Sequence, residues 1–354
     1  MFQMIVINIG STSTKLGLFW DQEALVRKTV EHSPDKLSRL NVYDAWLRFH
    51  QDAVDRILKR EKTKLGKIDL VVSRGGLTKP IEGGAYRINE DMLRDLRSGA
   101  YGSHPANIGP HIAHRLAERY GVEAIIYDAP VANEFIPISR FSGLKGIERR
   151  SAIHVLSQKS AVRKAAHDLH IPLAEANFIV AHLGGGITIG AHRKGRIIDG
   201  THGLSEGPFT PQRAGALPVL DVVELCFSEK ASKEELNKKL FGQGGVYSYL
   251  ETHDMEAVEA RISEGDKEAL LVSQAMAYQI SKDICSMAAA LEGHINAVVL
   301  TGNLCRAKTL INEIRKRISF LGKVMLYPGE DELESLALGG YLVLTQAEKI
   351  KEYS

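Results

Sequence analysis

Two stretches of this 354-residue chain follow one plan, and that repetition constrains the fold more than any other feature. Met4 to Trp20 reads as a strand, a polar glycine-containing turn and a second strand, and Phe178 to His192 repeats the plan around Gly184-Gly185-Gly186. Each stretch opens one half of a chain long enough for about two domains. The duplication therefore predicts two domains of like topology with a cleft between them. Elsewhere, short β-rich runs alternate with longer helical patterns, as in an α/β protein. Strands are expected at 4–9, 15–20, 68–73, 123–128, 178–183, 187–192, 297–301 and 324–327, and helices at about 43–61, 107–120, 151–169, 217–227, 267–291, 307–319 and 333–349. The apolar pattern breaks at Gly143, Gly146 and Glu148-Arg149-Arg150, which puts one domain at 1–147, with the last helix (about 333–354) packed back on it, and the other at 148–332.

Charge excludes some partners. Lys and Arg number 45 against 43 Asp and Glu, a net charge of +2, so no broad basic surface of the kind that binds nucleic acid is required. Cys226, Cys285 and Cys305 form neither a C-x-x-C pair nor a zinc-ligand spacing, and read as reduced, mostly buried thiols of a cytoplasmic protein. The long charge-free window 176–192 holds three consecutive glycines and two histidines, so it reads as two strands around a turn rather than a membrane span. A small molecule or another protein is the expected partner.

Three turns carry candidate chemistry. Asn8-Ile9-Gly10-Ser11-Thr12-Ser13-Thr14-Lys15 links two strands and gathers backbone N–H groups, hydroxyls and a lysine at one spot, a way to hold phosphate. A Ser/Thr-rich hairpin capped by its own side chains accounts for the same residues, and the Walker A spacing is absent. His182-Leu183-Gly184-Gly185-Gly186 is the matching turn of the second half, where absent Cβ atoms let the backbone approach a ligand. Thr301-Gly302-Asn303 ends a strand either as an ordinary connection or as a contact to a base or ribose. His111 and His114, three apart on a helix, read as a solvated face, and 229–239 as a plain exposed helix.

Seven motifs in order, N-I-G-S-T-S-T-K at Asn8, S-R-G-G at Ser73, S-H-P-A-N-I-G at Ser103, I-H-V-L-S-Q-K at Ile153, H-L-G-G-G-I at His182, E-G-P-F-T-P-Q-R-A-G at Glu206 and P-G-E-D-E-L-E-S-L-A at Pro328, resemble the acetokinase family and, within it, the butyrate kinases. The resemblance implies an α/β fold of two ribonuclease-H-like domains of duplicated topology with the active site in the cleft between them. It implies reversible phosphoryl transfer between ATP and a short-chain carboxylate, with ATP/ADP and Mg2+ as cofactors and a homodimer or larger assembly. Such a reaction needs charge management more than acid-base chemistry, because the acceptor is already ionised at neutral pH. By resemblance, Arg74 and Arg213 neutralise the carboxylate and the phosphoryl group in flight, His154 donates a hydrogen bond to it, and Asp128 holds the metal and its waters, with Asn8 and Glu332 as metal ligands. His104 and Asn107 line the acid side; Ser11, Thr12, Ser13, Lys15, His182, Gly184, Gly185, Gly186, Gly302 and Asn303 face the nucleotide. A bland reading stands beside several of these: His154 as a structural histidine on a helix, Glu332 as a first-turn acid complementing a helix dipole.

The chain also departs from the family pattern. Asn303 stands where a second glycine is usual and puts a Cβ toward the expected adenine pocket. The segment before Glu206, Thr201 to Ser205, lacks the family's usual acidic residue and one position of length, Asn133 replaces an Asp, and Gln212 replaces a Glu beside Arg213. Against the acetate kinase pattern, the chain is short, lacks the G-F-H-G-T-S-H form around His154 and has Gly185 in place of an Asn, differences that favour a pocket for a longer acyl chain. A kinase for acetate or propionate, a catalytically impaired ATP or acyl-phosphate sensor, and a sugar kinase with Asp128 as base are the rival readings.

Overall fold

The computed structural model describes residues 1–10, 12–33, 42–228, 232–329 and 331–354. Contacts divide it into two compact units, Met1–Asn133 with Asp331–Ser354, and Glu134–Glu330.

In the first unit, β1 (Gln3–Ile9), β2 (Ser13–Trp20) and β3 (Glu23–Glu31) form an antiparallel meander. β4 (Ile68–Arg74) runs parallel to β1 and β6 (Glu123–Tyr127) parallel to β4, with the short β5 (Ala85–Arg87) antiparallel at the far edge, giving the order β3-β2-β1-β4-β6-β5. β1 is buried at all seven positions because both faces of the sheet are covered, so its sequence is a near-continuous apolar run. Side chains alternate in direction along a strand. Ile5, Ile7 and Ile9 join the core formed with Leu47 and Ile57 of α1 (Tyr43–Arg60) and Ile112 and Leu116 of α3 (Ile108–Tyr120). Met4 and Val72 turn the other way, against Gly340 of α11 (Glu332–Leu344), which returns the end of the chain to this unit. α2 (Glu90–Ser98) is capped by the Asn89 side chain, which accepts from Met92 N–H.

The second unit repeats the plan. β7 (Asn177–Leu183), β8 (Ile187–Arg193) and β9 (Arg196–Gly200) form the meander, β10 (Ala297–Gly302) runs parallel to β7, and β11 (Val324–Pro328) parallel to β10. The order is β11-β10-β7-β8-β9. Ile179 and Ala181 pack with Met276 and Ile280 of α9 (Lys267–Ala290) and Ile311 of α10 (Lys308–Ile318), whereas Phe178 and Val180 pack with Ala161 and Ala165 of α4 (Val155–Asp168). Four further helices, α5 (Val219–Phe227), α6 (Lys233–Phe241), α7 (Val246–Leu250) and α8 (Met255–Ser263), fill the connection between β9 and α9.

Several expectations change. β3, β5 and β9 were not expected: β3 is an edge strand whose Arg27, Lys28 and Glu31 face water, so it lacks an apolar signature, and the other two are short. α2, α7 and α8 were likewise not expected. His154 is not on a helix but immediately precedes α4, with φ −77° and ψ 67°. Residues 134–150, placed astride the domain break by the sequence pattern, are tied to the second unit by Ile136 N–H to the Ile198 carbonyl (3.0 Å) and by Arg149 to Asp199 and Glu206 (both 3.0 Å). Of the thiols only Cys305 is buried, and Cys226 is exposed. His111 is no solvated residue, since its Nδ1 lies 2.7 Å from the Tyr43 hydroxyl. Among the described residues no helix is long and apolar enough to cross a membrane.

Candidate active site

In the first unit the parallel strands deliver their ends to one row. One step beyond the Ile7–Ser73 pair stand Asn8 and Arg74, and one step beyond the Arg74–Tyr127 pair stands Asp128. Lys15 lies opposite Asn8 in the β1–β2 ladder. Carboxyl ends of parallel strands are where open α/β sheets place their ligands. Glu332, the first residue of α11, gathers the row: Asn8 Nδ2 donates to Oε2 (2.6 Å), Lys15 Nζ sits 3.0 Å from the same oxygen, and Arg74 Nη1 lies 3.2 Å from Oε1. Two cations, Lys15 and Arg74, share the one Glu332 carboxylate. Asn8 Oδ1 is buried and has no hydrogen-bond partner among the described residues. Asp128 is fully buried at φ +44°, a conformation rare for a non-glycine residue, and its Oδ1 accepts from Gly84 N–H at 2.8 Å.

His104 and Asn107 differ in what they can offer. His104 Nδ1 accepts from Ala106 N–H (3.1 Å), which leaves the ring hydrogen on Nε2; desolvation, then the nearby Arg74 charge, lower its pKa. Asn107 spends its whole amide on the protein. Its Oδ1 accepts from Leu77 N–H (2.8 Å) and its Nδ2 donates to the Leu96 and Gly102 carbonyls (3.2 and 2.9 Å), so it fastens the turn after Arg74 to the loop before His104. Beside His104 is a cavity of about 380 Å³ walled by Val42, Tyr43, Trp46, Leu96, Pro105 and Ile108. In the β1–β2 turn, Gly10 N–H donates to the Ser13 carbonyl (2.9 Å) and the Thr12 carbonyl accepts from His32 N–H (2.8 Å); Ser11 lies outside the described residues.

In the second unit, His182, one residue before the end of β7, lies level with Thr301 of β10. The His154 ring stacks on it, with centroids 4.0 Å apart and planes 20° from parallel, and the Ser157 hydroxyl is 2.8 Å from His182 Nδ1. The triple-glycine turn closes through Gly184 N–H to the Gly186 carbonyl (3.2 Å). Thr210 docks the 206–215 loop onto it: its hydroxyl donates to the Gly185 carbonyl (2.8 Å) and accepts from Arg213 N–H (3.0 Å). Arg213 then lies across Gly186. A Cβ there would stand 2.5 Å from its Nη1, so only glycine leaves the guanidinium its place. Nη1 donates to the Gly203 carbonyl at 2.9 Å. Burial lowers the Arg213 pKa, and among the described residues no carboxylate pairs with it. Arg149 shows the contrast, held by both Asp199 and Glu206.

Gly302 has φ +99°, and a Cβ there would collide with the Leu183 carbonyl oxygen, so β10 ends hard against the triple-glycine turn. Beyond it opens a cavity of about 520 Å³ lined by His253, Asp254, Met255 and Glu256 on one side and Asn303, Leu304, Arg306 and Lys308 on the other. Asn303 is exposed and does not fill it. The sequence reading passed over the Thr252-His253-Asp254-Met255 wall, although Asp254 carries a recognisable signal: its carboxylate caps α8, accepting from Glu256 and Ala257 N–H. The structure thus assembles Asn8, Lys15, Arg74 and Glu332 in the first unit, and His154, His182, Gly184, Gly185, Gly186 and Arg213 in the second.

A model of the acetokinase family matches residues 136–328, more than half of the chain. The chain belongs to the acetokinase family. Among solved structures it is similar to acetate kinase from Porphyromonas gingivalis, at 19% identity over 98% of this chain and 100% of that one, with a TM-score of 0.77. It is also similar to a propionate kinase from Francisella tularensis (20% identity, 96% of this chain and 99% of that one, TM-score 0.74) and to acetate kinase from Entamoeba histolytica (16%, 97% and 100%, 0.76). At these identities the likeness is one of fold: the two-sheet α/β architecture is that of these kinases.

Proposed function

We propose that this member of the acetokinase family transfers the γ-phosphoryl group of ATP to the carboxylate of a short-chain acid, butyrate or a branched analogue, reversibly and by direct in-line displacement. The observation that carries the reading is Arg213, a partly buried guanidinium with no counter-carboxylate among the described residues, pinned across the glycine turn that follows His182, on which His154 stacks. A cation withdrawn from water and left unpaired is stabilised by an anion, and a flat guanidinium fork matches phosphoryl oxygens. In this reading Arg213 and His154 hold the phosphoryl group as charge spreads over its equatorial oxygens. Gly184 to Gly186 and His182 face the nucleotide phosphates, and the 520 Å³ cavity past Gly302 and Asn303 takes base and ribose. Arg74 receives the acid carboxylate, His104 offers its Nε2–H, and the 380 Å³ cavity has room for an acyl chain longer than that of acetate.

Magnesium fits as an ion brought on phosphate oxygens. Mg2+ keeps waters and substrate oxygens and asks the protein for one or two hard ligands; the unpartnered Asn8 Oδ1 and the Glu332 carboxylate beside it are such donors, with Asp128 in the same row. The ion would neutralise charge on the transferring group. A sugar kinase would need Asp128 as a base within reach of a hydroxyl, and its side chain is fully buried with Oδ1 turned to Gly84 N–H. From its cysteine usage we also assign a cytoplasmic location, and on the resemblance a homodimer or larger assembly. The reading is tested in the reverse direction, with ADP, magnesium and synthetic acyl phosphates. ATP should form faster from butyryl or isobutyryl phosphate than from acetyl phosphate. Equal or greater rates with acetyl phosphate reassign the substrate, and no ATP from any of them ends the proposal.

A further inference from the structure

A chain of side chains that lies behind His154 has a direction that the hydrogen-bond inventory fixes. Gln158, Thr188 and His192 are all fully buried. Gln158 Nε2 lies 3.1 Å from the Thr188 carbonyl oxygen, which can only accept, so this atom is the amide nitrogen and the oxygen faces the other way. That oxygen, Oε1, sits 3.0 Å from His192 Nε2, which must then carry a hydrogen and donate. The same Gln158 nitrogen donates to the Thr188 hydroxyl (3.0 Å), and His154 backbone N–H donates to that hydroxyl as well (3.3 Å). Both acceptor positions of Thr188 Oγ1 are used. Only its hydrogen remains, and the nearest acceptor is His154 Nδ1 at 2.9 Å. His154 therefore accepts at Nδ1.

We infer that His192, Gln158 and Thr188 are positioning residues, a one-way hydrogen-bond relay that holds His154 as a neutral imidazole with its hydrogen on Nε2. The inference rests on the reading of His154 as the donor to the transferring phosphoryl group, and deepens it. A donor useful in that step must present N–H, not a lone pair, to an anion whose charge is developing. An untethered imidazole divides itself between two tautomers and many ring orientations, whereas the relay selects one tautomer and the His182 stack fixes the ring plane. Space for the relay is built into β8, since a Cβ on Gly190 would stand 2.5 Å from Gln158 Oε1. No signal for Gln158 or Thr188 is visible in the sequence, because the chain is drawn from two distant segments and buries every member but His154.

The test pairs kinetics with a direct view of the ring. Uniformly ¹⁵N-histidine-labelled full-length protein is examined by long-range ¹H–¹⁵N correlation, with His154→Gln assigning the signal among 13 histidines. The wild type should show the Nε2–H tautomer. Thr188→Val removes the donor and Gln158→Leu frees a lone pair on Thr188 that can accept from Nδ1–H, so in both the Nδ1–H form should appear. In both, kcat should fall on the order of 10- to 100-fold with the KM for ATP little changed, and Thr188→Ser should restore both readouts. A wild-type His154 that carries its hydrogen on Nδ1 overturns the relay, as does a variant that shifts the tautomer without lowering kcat. A folded wild type that shows the Nε2–H form but makes no acyl phosphate sinks the kinase reading and leaves the relay standing.

Discussion

Gly186→Ala isolates the work of Arg213 from the stability of the fold. Gly186 has no positive φ, so alanine meets no backbone strain there. The new methyl would stand 2.5, 3.0 and 3.3 Å from Arg213 Nη1, Cζ and Nη2, against an ordinary carbon contact of about 3.5 to 4 Å. The guanidinium must retreat by about 1 Å, and a displacement of that size at a reacting group costs on the order of 10²-fold in rate, near 2.7 kcal/mol of transition-state stabilisation. Arg213 is the far end of a flexible side chain, so the folded state should lose less than about 1 kcal/mol. The assay is steady-state acyl phosphate formation beside a thermal melt. kcat should drop on the order of a hundredfold while Tm moves by only a few degrees. Gly185→Ala is the control, because its methyl would meet only Gln212 Nε2 at an ordinary 3.5 Å; any effect there should fall on the KM for ATP. On an Arg213→Ala background, Gly186→Ala should add almost nothing. A Gly186→Ala enzyme with near wild-type kcat, or one equally impaired when Arg213 is already absent, refutes the reasoning.

Other perturbations separate the parts of the molecule. Burial holds the His50 pKa at about 4 against 6.5 unfolded, so the unfolded chain takes the proton first. This contribution to stability is complete above about pH 6.5 and is lost as pH falls toward 4, roughly 3 kcal/mol in all, and urea titrations across that range should show His50→Gln flattening the loss. Lys159→Met breaks the buried pair with Glu134 (2.6 Å) at the start of the second unit and should cost about 3 to 5 kcal/mol, read from chemical denaturation. Glu332→Gln removes the charge shared by Lys15 and Arg74 and a metal donor; the magnesium requirement for half-maximal rate should rise several-fold, and an unchanged requirement removes Glu332 from the metal set.

What could be read from the sequence, and what could not, follows from how far each signal travels along the chain. The paired strand–turn–strand units stand out because each is one local run, and β1 and β7 advertise burial by a central apolar run, Met4 to Ile7 and Phe178 to Ala181. β3 escaped notice because an edge strand carries charge by necessity. The row gathered by Glu332 is nameable residue by residue through the motifs, yet the joining of Asn8 to Glu332 spans most of the chain and no local pattern encodes it. The motif around His104 points to Asn107 on the acid side by resemblance, but that its amide bonds the Leu77 N–H and the Leu96 and Gly102 carbonyls is set by distant segments that no local pattern encodes. The wall at His253 to Glu256 was missed for a different reason. A helix cap and a ligand wall use the same short polar residues, and only the cavity in front of them tells which is meant.

Acyl hydroxamate formation tests the phosphoryl transfer most directly. The full-length protein is incubated with ATP, magnesium, hydroxylamine and one acid at a time from C2 to C6. Hydroxamate should accumulate with every turnover, most rapidly with butyrate or a branched C4 or C5 acid, and stoichiometrically with ADP. A folded protein that binds ATP yet yields no hydroxamate with any of these acids contradicts the assignment of a carboxylate acceptor.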